Sequence, residues 1–103
     1  MSSVPIVERY GEKFNDETYE YRQVTIRKEY ANLLPKGKLL NEEEWRRLGI
    51  QMSYGWTNYC AYKPESNILL FRRPVGTDGT TGLVDPVLAE KVKEKFRREY
   101  GLK

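Results

Sequence analysis

A chain of 103 residues, 13% of them aromatic, is long enough for one domain with a single modest core. The mean hydropathy of −0.76 is low, but the aromatic fraction exceeds that of disordered chains, so a folded core with polar tails is expected. The absence of histidine excludes Ser-His-Asp and Cys-His catalysis and leaves zinc with one cysteine and no imidazole.

The rest of the composition limits the cellular compartment and the classes of partner that are expected. The single cysteine, Cys60, cannot form an internal disulfide and fits a reducing compartment, so a cytoplasmic and nuclear location is expected. No signal-peptide-like segment or bilayer-length apolar run occurs, so no membrane partner is expected. The net charge of +3 suits an anionic partner without requiring nucleic acid. No cofactor, metal site or catalytic residue is expected.

The chain begins with a predicted β-hairpin. Residues 7–14 predict an edge strand, and residues 15–17 predict a turn because Asn and Asp readily bond their own backbone. Residues 18–26 are aromatic and β-branched, which predicts a strand paired with the first. Alternation along this strand places Glu20, Arg22, Val24 and Ile26 on one face, and Tyr19, Tyr21, Gln23 and Thr25 on the other.

Two short helices are predicted next. Residues 28–34 carry apolar side chains at helical spacing and end before a proline. A second helix begins at Asn41, which serves as N-cap while Glu44 occupies the third helical position of a capping box. Trp45 supplies the buried side of this helix, and Gly49 fits the left-handed position that follows its last turn.

The second half of the chain predicts two strands and an extension. Residues 56–62 and 68–73 are predicted strands, joined by a hairpin loop whose proline blocks further ladder bonding. Residues 75–83 are rich in glycine and threonine and predict a flexible linker. A further helix is expected between its cap, Asp85, and Gly101. Its apolar stripe comprises Leu88, Val92, Phe96 and Tyr100.

Together these elements predict an α+β fold: a four-stranded antiparallel sheet with two short helices, plus a C-terminal helical extension. The expected division is a domain over residues 1–74, a linker over 75–84 and the extension over 85–103. The extension helix is expected to pack on its own domain, the alternatives being a second chain or an acidic partner.

Three cations, Lys13, Arg22 and Arg73, fall on three different predicted strands, with Ser53 and Trp56 in a turn expected nearby. If the strands are adjacent, the cations converge at one end of the sheet, where their repulsion favours a bound anion. A phosphate monoester carries about −1.5 to −2 charges and three acceptor oxygens that such donors could satisfy. The residues alone favour the ordinary interpretation, with the arginines as solvated edge charges and the tryptophan in the core.

Two motifs narrow this choice. Residues 45–56 match W-R-x-L-G-[IV]-Q-x-S-x-G-W, and residues 68–74 read I-L-L-F-R-R-P. The combination resembles the Cks family of regulatory subunits of cyclin-dependent kinases, over residues 10–74. The resemblance implies a phosphothreonine pocket made of a lysine, two arginines, a serine and a tryptophan. The matching positions are Lys13, Arg22, Ser53, Trp56 and Arg73.

The resemblance also implies a kinase-facing surface, which is less well kept. The family has a loop of the form H-x-P-E-P-H; here Tyr62, Ser66 and Asn67 replace histidine, proline and histidine. The alternative is that these are ordinary hairpin residues on a remodelled surface. The expected kinase-binding residues are Tyr10, Phe14, Tyr59, Cys60, Ala61, Tyr62 and Glu65. The loop itself is a hinge in the family, here made of Lys63, Pro64, Glu65, Ser66 and Asn67.

The function implied by the resemblance is that of a non-catalytic adaptor. Its expected partners are a cyclin-dependent kinase catalytic subunit and phosphorylated protein substrates. With only one hinge proline, the closed loop is expected to be unstrained, which favours a monomer over a strand-exchanged dimer. The alternative class is a small basic nucleic-acid-binding domain using exposed aromatics. The chain lacks the RNP-type run of glycine and aromatic residues that such domains carry, so nucleic acid is not the expected partner.

Overall fold

The computed structural model describes residues 5–35, 38–61 and 67–101. The predicted hinge residues Lys63, Pro64, Glu65 and Ser66, together with Tyr62 and the side chain of Ala61, lie outside the described part. None of the helices in these ranges is long and apolar enough to cross a membrane. The elements in chain order are β1 (Val7–Tyr10), β2 (Phe14–Asn15), β3 (Tyr19–Ile26), a 3-10 helix (Lys28–Leu33), α1 (Glu42–Arg47), β4 (Thr57–Ala61), β5 (Ile68–Pro74) and α2 (Pro86–Glu99).

An antiparallel sheet of five strands forms the domain, which confirms the predicted α+β class. Its order is β1-β3-β5-β4, and β2 also pairs with β3. The single edge strand predicted over residues 7–14 is therefore divided into β1 and β2, which lie along the same edge of β3. Gly11, between them, donates its N–H to the Gln23 carbonyl at 2.8 Å. A Cβ on Gly11 would lie 2.8 Å from Gln23 Cγ, so only glycine allows this close approach.

The two faces of β3 are those that the alternation predicts. On the core face, Val24 and Ile26 are fully buried. Phe71, on the neighbouring strand β5, pairs with Arg22 and is also fully buried; its ring lies 5.3 Å from that of Trp45 in an edge-on arrangement. Apolar burial of this kind is the main stabilising contribution in a small domain. The opposite face carries the tyrosines of β3.

Helix α1 begins as its sequence predicts. The Asn41 side chain accepts a hydrogen bond from Glu44 N–H at 2.8 Å, and the Glu44 carboxylate accepts one from Asn41 N–H at 2.9 Å. This reciprocal capping box satisfies two otherwise unpaired amides. Gly49 has φ 103°, the left-handed conformation that ends a helix at little cost for glycine. The first predicted helix is shorter and tighter, a 3-10 helix.

Residues 75–83 are not the flexible linker that their composition predicts. Val75, Gly76 and Thr77 are buried, and Thr77 pairs with Val84 in an antiparallel bridge. Asp78 N–H donates to the Leu83 carbonyl at 2.8 Å. We call residues 77–84 the extension turn. Composition misled here because glycine and threonine form hydrogen-bonded turns as readily as flexible linkers.

Helix α2 packs on its own domain, and its most buried residue lies outside the predicted stripe. Ala89 is the buried residue of the helix, and a Cβ on Gly76 would lie 2.5 Å from it. Arg97 donates two hydrogen bonds to the Glu17 carboxylate, at 3.0 and 3.1 Å. Within the stripe, Leu88 and Tyr100 are exposed. A small residue at 89 allows the helix to approach the turn after β5 closely, which the spacing of large apolar residues did not reveal.

Candidate functional site

Arg73 organises the site from the end of β5. It faces Glu20 across the β3–β5 pair, and its Nη2 donates to the Glu20 carboxylate at 3.2 Å. Its Nη1 donates to Ser53 Oγ at 2.9 Å and to the Tyr54 carbonyl at 3.2 Å. The guanidinium carbon lies 4.4 Å from the centre of the Trp56 ring. Three of the predicted phosphate-binding residues are therefore in direct contact.

The burial of Arg73 is unusual for a cation. The exposed fraction of its side chain is 8%, and that of its partner Glu20 is 21%. Taking a charge out of water is costly, and a single partly exposed carboxylate only partly offsets this cost. Nε of Arg73 is buried and has no hydrogen-bond partner among the described residues. The sheet thus holds a buried cation, one nitrogen of which donates to no described residue.

Arg22 lies on the same face of the sheet, one strand away. It pairs with Phe71, two positions from the Glu20–Arg73 pair. Residues in such diagonal positions on adjacent strands are typically about 7–8 Å apart. Its Nε donates to the Gly11 carbonyl at 2.9 Å, and its guanidinium lies 5.2 Å from the Tyr10 ring. These contacts direct the second arginine along the same surface.

Lys13 lies at the edge of this surface. It precedes β2, in which Phe14 pairs with Tyr21, so the next register position faces Arg22. Its side chain is exposed and makes no ion pair within the described ranges. Lys13 therefore adds an exposed positive charge beside Arg22, whereas Arg73 is buried.

Glu20 and Tyr54 belong to the site but escaped sequence reasoning. Glu20 precedes Arg22 by two residues, so strand alternation already placed both on one face. That signal was available, but the pairing of Glu20 with Arg73 depends on strand register. Tyr54 contributes only its main-chain carbonyl. Every residue has one, so no pattern in the sequence could have identified this role.

A second surface lies on the opposite face of the sheet. Tyr21 contacts Phe14, with ring centres 5.3 Å apart, and Tyr59, at 6.0 Å. Arg72 lies over the rings of Tyr19 and Tyr59, at 4.3 and 4.9 Å. We call this set (Phe14, Tyr19, Tyr21, Tyr59 and Arg72) the aromatic face. It includes Phe14 and Tyr59 of the predicted kinase-binding residues.

The other described residues of that prediction are placed differently. Cys60 is exposed and pairs with Leu70 in β5. Tyr10 instead packs against the core, where its hydroxyl accepts a hydrogen bond from Gln51 N–H at 2.8 Å. Asn67, the last hinge residue, is buried, and its side chain donates to the Ile26 carbonyl at 2.8 Å. The hinge therefore ends at a residue anchored to β3.

One hydrogen bond fixes the centre of the aromatic face. Tyr21 donates its hydroxyl to the Asp16 carboxylate at 2.7 Å, and this bond, with burial, raises the pKa of Tyr21 to about 12. Burial raises the pKa of Asp16, but hydrogen bonds from Tyr21 and from the amides of Tyr19 and Thr18 outweigh it, so this pKa lies below its ordinary value. Tyr21 therefore remains protonated near neutral pH, and its ring orientation is held.

Comparisons with known proteins give matches to one family. A family profile described as "Cyclin-dependent kinase regulatory subunit" (CKS) matches residues 8–75. The chain is 54% identical over 69 residues to "Cyclin-dependent kinases regulatory subunit 2" of Xenopus laevis, covering 67% of this chain and 87% of that protein. It is 49% identical over 67 residues to the protein of the same name from Arabidopsis thaliana, covering 65% and 81%. A Caenorhabditis elegans relative, "Cyclin-dependent kinases regulatory subunit", is 47% identical over 73 residues, covering 71% and 78%.

Proposed function

The chain belongs to the Cks family of cyclin-dependent kinase regulatory subunits, and from this premise we propose that it is an adaptor that docks phosphothreonine-proline sites of substrates onto a cyclin-dependent kinase. The adaptor has no catalytic role of its own and acts in the cytoplasm and nucleus. Its relatives are named as regulatory subunits of these kinases. Two separate surfaces would be needed, one for the phosphate and one for the kinase.

The observation that supports phosphate docking is the buried, oriented Arg73. Its guanidinium is held by Ser53, Tyr54 and Glu20, and its Nε has no partner in the described part of the chain. Arg22 and Lys13 add two further cations toward the exposed edge. A phosphate monoester has more charge and more acceptor oxygens than one carboxylate, so it competes effectively with Glu20 for the arginine.

The aromatic face is the surface proposed for the kinase. It is rigid, because Tyr21 is bonded to Asp16 and its ring contacts aromatic neighbours on both sides. It lies on the opposite face of the sheet from Arg73, so kinase and phosphorylated substrate could bind at the same time. Simultaneous binding raises the effective concentration of substrate at the kinase and promotes further phosphorylation.

A phosphothreonine-proline peptide is expected to bind measurably more tightly than the same peptide without phosphate, as determined by isothermal titration calorimetry. The affinity should fall as salt is added, because the bond is electrostatic. Single-stranded RNA carries a phosphate at every nucleotide that the same three cations could bind, so RNA is the competitor to test. If single-stranded RNA displaces the phosphopeptide at comparable concentration, the adaptor function loses its main support.

The protein is expected to be a monomer in dilute solution. Strand exchange preserves the sheet contacts, so the balance depends on hinge strain and chain entropy. The hinge carries Pro64 alone and ends at Asn67, whose main-chain carbonyl accepts a bond from Ile26 N–H at 2.8 Å. Light scattering on freshly purified protein measures the mass directly. A dimer that persists on dilution would contradict this prediction.

A further inference from the structure

The extension turn begins two residues beyond the family match, yet it packs against the turn that carries Ser53. Tyr54 N–H donates to the Gly79 carbonyl at 2.8 Å. A Cβ on Gly55 would lie 2.5 Å from Thr77 Cγ2, and Thr77 is buried. The two turns are therefore joined by a main-chain hydrogen bond and by close packing.

The closest approach to the site is made by Gly79. A Cβ at this position would lie 2.8 Å from Ser53 Cβ, 3.1 Å from Ser53 Oγ and 3.6 Å from Arg73 Nη1. The backbone of Gly79 does not have the positive φ found at Gly55 and Gly82. Glycine at 79 is therefore required by lack of space, not by backbone conformation. A side chain at 79 would crowd the Ser53 hydroxyl and the Arg73 guanidinium of the proposed phosphate pocket.

The extension turn is held in place by its own bonds. Asp78 N–H and the Leu83 carbonyl form one end-to-end bond, and the Asp78 carboxylate accepts a second, from Thr80 N–H at 2.8 Å. Gly82 N–H donates to the Asp78 carbonyl at 2.7 Å. A segment with this many internal bonds can act as a rigid wall for what it touches.

We propose that the extension turn is a wall of the phosphate pocket that positions Ser53 and Arg73, with Gly79 as its contact residue. This inference rests on the proposed phosphate docking. Both acceptors for Arg73 Nη1, Ser53 Oγ and the Tyr54 carbonyl, belong to the turn that Gly79 supports. Fixing those acceptors fixes the direction of the guanidinium, and a pre-oriented group loses less freedom when the phosphate binds.

The variant Gly79→Ala tests this positioning. The added methyl group would displace Ser53, and with it Arg73, so the phosphothreonine peptide should bind about tenfold more weakly, as for loss of one charge-assisted hydrogen bond. Gly101→Ala is the control for a glycine replacement outside the pocket: a Cβ there meets nothing within 4 Å, so the strain that its φ of 68° imposes is confined to the end of α2. Its affinity should equal that of the wild-type protein. Asp78→Ala, which loosens the turn without adding atoms, should weaken binding in the same direction.

A double-mutant cycle separates positioning from general destabilisation. Ser53→Gly removes both side-chain atoms that the new methyl group would strike, so Gly79→Ala should cost little further affinity in that background. Additive losses would contradict the inference. Tighter binding by Gly79→Ala or Asp78→Ala would also contradict it, because the extension turn would then obstruct the pocket instead of supporting it. If the wild-type protein binds and Gly79→Ala binds equally well, this inference alone is wrong. If the wild-type protein binds no phosphopeptide, the proposed function is wrong and this inference with it.

Discussion

The Arg22→Ala variant is expected to bind a phosphothreonine-proline peptide about ten- to a hundredfold more weakly than the wild-type protein, because a charge-assisted bond to phosphate contributes about 1.5–3 kcal/mol. Its fold should be retained. Arg22 is only partly buried, and the truncation removes one bond to the Gly11 carbonyl and a contact with the Tyr10 ring. Calorimetry gives the affinity, and circular dichroism checks the fold.

Arg73→Ala should weaken binding by a similar factor but should also lower stability. The truncation leaves Glu20, whose side chain is only 21% exposed, without its cationic partner. Breaking a well-buried pair in this way can cost up to about 3–5 kcal/mol. The two arginines therefore differ: Arg22 reports on binding alone, whereas Arg73 reports on binding and folding together.

Arg27→Ala is the matched control for both arginine variants. It makes the same change of charge just beyond the other end of β3, five residues from Arg22, or about 16 Å at the usual strand rise. Its own side chain donates to the Pro5 carbonyl at an exposed position. The phosphopeptide should bind this variant as it binds the wild-type protein. Unchanged affinity in Arg22→Ala and Arg73→Ala would show that no phosphate site exists here.

Phe71→Ala is expected to lower the free energy of unfolding by about 3–5 kcal/mol, the usual cost of removing a buried aromatic side chain. Phe71 lies on β5, between β3 and β4, and is fully buried with its ring against Trp45. Domains of this kind are stable by only about 5–15 kcal/mol, so much of the total would be lost. Urea denaturation followed by circular dichroism measures the change.

Phe14→Ala removes the same phenyl group from the aromatic face and serves as the comparison. Phe14 is 65% exposed and its main contact is the ring of Tyr21 across the β2–β3 pair, so its truncation should lower the free energy of unfolding by no more than about 1 kcal/mol. Similar unfolding midpoints for Phe71→Ala and Phe14→Ala would contradict the assignment of the core. The Phe14 variant is also a direct probe of kinase binding, since its fold is expected to be intact.

Several parts of this structure follow from local patterns. The capping box at Asn41 and Glu44 needs residues only three apart, and strand alternation needs only a period of two, so both could be predicted and both are confirmed. The spacing of the motif residues also predicted the family correctly. The left-handed glycine at 49 is a third local feature, since it depends only on the end of one helix.

Other parts depend on contacts between segments that are distant in the chain. The burial of Arg73 and its pairing with Glu20 follow from the register of β3 against β5, which depends on the packing of the whole sheet. The placement of Tyr10 on the core face also depends on the packing of the whole sheet.

Local chemistry therefore determined which residues cap, alternate and carry charge, because those preferences act over a few neighbouring positions. Only the tertiary structure decided that the extension turn lies against Ser53 and Arg73. A stretch rich in glycine and threonine can adopt many backbone conformations. The observed one depends on the close packing of two turns more than twenty residues apart in the chain, which the absence of side chains at Gly55 and Gly79 allows.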